Sequence, residues 1–87
     1  TSGTTGLPKG CMHTHRTTMY NVAAGSVWWK ANPGQVGMAI LPLFHVTGMQ
    51  AGMNGPLYTG STIVVLPRWD RDACALCVQK HGVYGLA

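Results

Sequence analysis

The chain has 87 residues, of which 46% are hydrophobic and only 9% charged, where a typical soluble domain carries about 25% charged residues. That length allows one domain at most, burying roughly 60% of its unfolded surface, and the composition excludes disorder, which needs low hydrophobicity and high net charge. The net charge of +4 comes from six Lys and Arg against two Asp and no Glu. These cations are scattered along the chain, so no nucleic-acid footprint is present and no nucleic-acid partner is expected.

So little charge predicts that much of the surface is covered by other protein. The chain opens inside a glycine-rich run, with no initiator Met and no lead-in strand, and reads as a piece of a longer domain. No uninterrupted apolar run reaches the roughly 18 residues needed to cross a bilayer. No signal-peptide arrangement is visible. Cys11, Cys74 and Cys77 are too few for a disulfide framework, so a reducing, cytoplasmic setting is the expectation.

Thr1 to Gly10 (Thr-Ser-Gly-Thr-Thr-Gly-Leu-Pro-Lys-Gly) is a loop by its glycine, hydroxyl and proline content. Cys11-Met12-His13 predicts a short strand leaving it. Thr14 then caps a helix running to about Trp29, with Met19, Val22, Ala23, Ser26 and Val27 on one face. Asn32-Pro33-Gly34 is a turn. Val36 to Leu41 predicts a mostly buried strand stopped by Pro42. Leu43 to Gly48 is a loop, followed by a second helix from near Gly48 that Pro56 should kink or end. Ser61 to Leu66, β-branched through its middle, predicts a strand. Asp70 caps a helix over 71–81, with Gly82 as its left-handed stop, and a further strand starts at Val83. Strands alternating with helices imply an α/β fold with parallel pairing through right-handed crossovers, and strands apolar on both faces imply a sheet covered on both sides.

A phosphate needs several converging donors and backbone that can approach closely. Glycines permit the approach, Ser and Thr hydroxyls add donors, and Lys adds a full charge. Thr1, Ser2, Thr4, Thr5 and Lys9, interleaved with Gly3, Gly6 and Gly10, supply all of these. The P-loop template fails, because Pro8 stands where its second glycine belongs and Gly10 follows Lys9. The dinucleotide template fails on the spacing of Gly3, Gly6 and Gly10. A flexible surface turn would explain the glycines but not the hydroxyl density and the lysine.

The run Thr1 to Gly10 is similar over all ten positions to the AMP-binding signature of the adenylate-forming superfamily, which includes acyl-CoA synthetases, luciferases and the adenylation domains of peptide synthetases. Leu41-Pro42-Leu43-Phe44-His45-Val46-Thr47-Gly48 resembles that family's next motif, and the remaining stretch follows its run of strands and helices. The resemblance covers essentially the whole chain, 1–87, as a partial AMP-binding domain incomplete at both ends. It implies a piece of the family's large N-terminal domain, about a sixth of an enzyme. Gly10 to Arg16 together with His45 to Met49 looks most like bacterial fatty-acyl-CoA ligases. Tyr84 departs from the family, which usually has Thr there.

What the resemblance implies is an ATP-dependent carboxylate–CoA ligase: ATP and a carboxylic acid, a fatty acid in this subgroup, give an acyl-adenylate, and coenzyme A then displaces AMP. Thr1, Ser2, Gly3, Thr4, Thr5, Gly6 and Lys9 would hold the phosphates, with Thr4 or Thr5 near Mg²⁺. His45 would act beside the reacting carboxylate, and Phe44, Val46, Gly48 and Met49 would wall the acyl pocket. By sequence alone His45 reads as a satisfied core histidine, and Met49 also reads as helix packing. The family's adenine and ribose contacts, its hinge and its C-terminal lysine have no counterpart here, so the isolated chain is expected to be inert and the rest of the parent chain is the implied partner. The parent is expected in the cytoplasm or associated with a membrane. An adenylation domain loading a carrier protein and a non-catalytic nucleotide-binding module remain as alternatives.

Three other features stand apart from that motif pair. Cys74, Cys77 and His81 share a helix face at i, i+3 and i+7, which reads as small buried side chains rather than a metal site. His13 and His15 read equally as support for the loop or as exposed polar groups. Of Trp28 and Trp29, one indole is expected to pack on the helix face.

Overall fold

In the computed structural model, which describes residues 6–86, Thr14 closes a reciprocal cap ahead of helix α1 (His15–Trp28). Thr14 Oγ1 accepts from the Thr17 N–H at 3.1 Å and Thr17 Oγ1 accepts from the Thr14 N–H at 3.0 Å, so two donors without helical partners are satisfied together. The predicted strand at Cys11–His13 is absent, since these residues are exposed and the chain runs directly into the cap. At the other end Ala31 N–H donates to Ser26 and Lys30 N–H to Val27, a Schellman closure with Lys30 at φ 53° in the position glycine usually holds.

The elements then follow as β1 (Val36–Ala39), a π-helical segment Gly48–Asn54 running into α2 (Gly55–Thr59), β2 (Thr62–Val65), α3 (Arg71–His81) and β3 (Gly85–Leu86). The strands are shorter than the sequence suggests, and the last begins at Gly85 rather than Val83. Pro56 does not end the helical path. A proline in a regular helix lacks a donor and its ring meets the carbonyl four residues back. Here the preceding turn is wound wider, with Gly55 donating to Gln50 five residues back, and Pro56 falls in the first turn of α2.

β1 is the central strand, paired in parallel with β2 (Val36 opposite Thr62, Ala39 opposite Val65) and with β3 (Gly37 opposite Gly85). The connections from β1 to β2 and from β2 past β1 to β3 travel in opposite directions. Right-handed crossovers therefore put α2 and α3 on opposite faces of the sheet. The π-helical segment lies close on β1, where a Cβ on Gly52 would stand 3.2 Å from the Cβ of Ala39. Asp70 Oδ1 caps α3 by accepting from Asp72 and Ala73 N–H, and Gly82 at φ 64° ends it.

The buried apolar residues are Val22, Met38, Ala39 and Cys74. The chain exposes 6881 Å², whereas a compact monomer of its mass would expose about 5,000 Å². Its radius of gyration is 14.7 Å, against about 12 Å for a compact domain of this length. The sheet is not fully covered: Val65 and Thr62 are exposed. Val27, expected on the packed face of α1, is exposed, and so are both Trp28 and Trp29, neither of which packs as expected. The reason is common to all of them. Among the described residues, four buried apolar side chains and a few short helices around one small three-stranded sheet leave too few neighbours to cover every apolar face.

Candidate functional site

The described part of the glycine-rich loop, Gly6 to Gly10, is exposed along its length, and a Cβ at Gly6 or Gly10 would meet nothing within 4 Å. No internal packing demands glycine at these two positions, and the backbone is open to approach from outside. Lys9 is exposed in the same stretch. Thr1, Ser2, Gly3, Thr4 and Thr5, including the two threonines expected near Mg²⁺, lie outside the described residues. His13 and His15 are exposed just ahead of and at the start of α1.

The second candidate segment is a tight loop between β1 and the π-helical segment. His45 N–H donates to the Pro42 carbonyl at 3.0 Å, and Met49 N–H donates to the His45 carbonyl at 2.9 Å. The His45 ring folds back on its own backbone, with Nδ1 accepting from the Thr47 N–H at 3.1 Å. A neutral imidazole that accepts at Nδ1 carries its proton on Nε2. His45 is therefore not a core histidine: it is exposed, anchored at one nitrogen and presenting a donor at the other. Phe44 is 94% exposed and Val46 is also exposed. Met49 is half-buried and Gly48 is buried, because the Pro42 carbonyl oxygen fills the space its Cβ would need.

The two helical elements that follow these segments are tied through a residue that the sequence alone does not single out. Gln50 Nε2 donates to the Thr18 carbonyl in α1 at 2.9 Å, across 32 residues of sequence, and Gln50 Oε1 accepts from Asn54 Nδ2 at 2.7 Å. Both groups are partly buried. Two amide residues four apart in an otherwise apolar and small-residue helix were the available signal.

An apolar cleft of about 570 Å³ opens between α1, the π-helical segment, α2 and the sheet, lined by Val22, Trp29, Met38, Gly52, Pro56 and Ile63 among others. Phe44, His45, Val46 and Met49 do not line it. On α3, Cys74 is buried, Cys77 is half-buried and His81 is exposed. Among the described residues no three His, Cys, Asp or Glu side chains come together as a metal-holding group, and no helix is long and apolar enough to cross a membrane.

The AMP-binding enzyme family matches residues 1–86. The chain is 38% identical over 86 residues to 4-coumarate–CoA ligase 3 of Oryza sativa subsp. japonica, covering 94% of this chain and 16% of that protein. It is 36% identical over 84 residues to the long-chain-fatty-acid–CoA ligase of Bacillus subtilis (strain 168), covering 93% and 15%. Among solved structures, o-succinylbenzoate CoA synthetase from Bacillus subtilis, in complex with its acyl-adenylate intermediate, superimposes with a TM-score of 0.87 at 27% identity, covering 99% of this chain and 22% of that one. The chain thus spans about a sixth of the length of the curated relatives it matches. A family match over nearly every residue, with a solved relative superimposing on 99% of the chain, means that this chain belongs to the AMP-binding enzyme family of adenylate-forming proteins.

Proposed function

We propose that the chain is part of an ATP-dependent acid–CoA ligase whose carboxylic acid is a fatty acid. The observation that carries this reading is the pairing of the Thr1–Gly10 run with the His45 loop in a chain of the AMP-binding family. Two relatives named as CoA ligases support the ligase class, and the one named for long-chain fatty acids supports the choice of acid. A carboxylate oxygen of the acid attacks the α-phosphorus of ATP. The bond from that phosphorus to the bridging oxygen breaks, and acyl-adenylate and pyrophosphate result. The thiol of coenzyme A then attacks the acyl carbon, losing its proton, and AMP leaves.

The hydroxyl and glycine run Thr1 to Gly6 supplies donors to the phosphates, and Lys9 offsets the charge that grows on the departing pyrophosphate. Nε2–H of His45 donates to the attacking carboxylic acid and fixes its direction, while the exposed Phe44 and Val46 meet the start of the acyl chain. The described residues do not fit a Mg²⁺ site. Asp70 is used as a helix cap and Asp72 pairs with Arg71 at 3.5 Å on the surface, leaving no carboxylate pair facing the loop.

ATP–pyrophosphate exchange by the full-length protein tests the reading, with long-chain fatty acids and aromatic acids of the coumarate type offered in parallel. Exchange that depends on the fatty acids supports it. Exchange with aromatic acids alone moves the substrate class, and no carboxylate-dependent exchange removes the ligase reading. The 87-residue chain by itself is expected to be inert in the same assay.

A further inference from the structure

Resting on the ligase reading above, we infer that Gln50 is a positioning residue that holds the carboxylate-orienting loop in register with the phosphate-binding loop during adenylation. The two loops belong to different elements: Gly6 to Gly10 leads through the Thr14 cap into α1, and the His45 loop leads directly into the π-helical segment. Gln50 stands in the first turn of that segment and reaches Thr18, one turn into α1. By contrast, the side-chain caps at Thr14 and Asp70 act within their own elements, over two or three residues.

The orientation of the clamp is set by chemistry. The Thr18 carbonyl accepts only, so the amide nitrogen of Gln50 must face it. That leaves Oε1 turned to Asn54, which must present its own amide nitrogen. Each amide is thereby held in one orientation. The partly buried setting makes an unmatched acceptor here costly. Close approach on the other side, of Gly48 on Pro42 and Gly52 on Ala39, keeps the segment from moving independently of β1.

The consequence differs between the two half-reactions. Adenylation needs the carboxylate and the departing pyrophosphate in line, so it depends on both loops at once. Thioester formation begins after pyrophosphate has left and needs no such alignment between them. The test uses the full-length enzyme with Gln50→Glu, which keeps the side chain's size but turns an acceptor toward the Thr18 carbonyl, and with the milder Asn54→Ala, which leaves the Thr18 bond in place but frees the amide. Gln50→Glu should lower the maximal rate of ATP–pyrophosphate exchange by about 10-fold or more with little change in KM for ATP, and Asn54→Ala should fall between it and the wild type. Neither should slow thioester formation from a synthetic acyl-adenylate. Unchanged exchange in both variants overturns the inference and leaves the ligase reading standing, as does an equal fall in both half-reactions that tracks a lowered Tm. If Gln50→Glu does not fold, the same split between half-reactions in Asn54→Ala decides. A wild-type enzyme without exchange removes both.

Discussion

The carbonyl oxygen of Pro42 occupies the space in which Gly48 would carry a Cβ, with the Pro42 carbonyl carbon 2.8 Å and the Leu41 oxygen 2.9 Å from that point. The turn that presents His45 is thus closed by backbone on backbone, and only glycine fits at its far end.

Gly48→Ala should therefore act on the loop rather than on a side-chain contact. Backbone atoms cannot rotate away as a flexible side chain can, so the turn must open. A stability loss of about 1–3 kcal/mol is expected, read as a lower urea midpoint of the full-length protein, together with slower carboxylate-dependent exchange.

The Thr47 N–H on His45 Nδ1 makes a sharper prediction about chemistry. If Nε2–H is the working donor, His45→Gln places an amide N–H near that position, and His45→Asn places one near Nδ1 instead. Gln should retain more of the exchange rate than Asn or Ala. Equal loss in all three would mean that the ring's outer nitrogen has no part in orienting the acid.

Lys30 sits at φ 53° at the end of α1, where its Cβ is crowded by the preceding backbone. Lys30→Gly should stabilise the protein by about 1 kcal/mol, less whatever the added chain freedom of glycine costs. Equilibrium denaturation checks this. An unchanged or lower midpoint would show that the lysine side chain itself contributes at that corner.

Local chemistry explains which features could be read in advance. Thr14, Asp70 and Gly82 are signals whose meaning depends on a few neighbours, and the starts of α1 and α3 and the end of α3 fall where those residues put them. The parallel α/β order was legible for the same reason, as β1 and β2 lie in short β-branched or apolar runs bounded by Gly and Pro. Cys11–His13 failed as a strand because, among the described residues, no strand pairs with it to complete its hydrogen bonds.

The sequence by itself determined the motif pair, the order of the elements and the family they belong to, because these follow from residue identity and spacing along the chain. Only the tertiary structure decided that His45 is anchored through Nδ1, that Gly48 is held by Pro42, and that Gln50 reaches Thr18. Those are relations of direction and distance, and the last joins residues 32 positions apart, a separation over which no local preference acts.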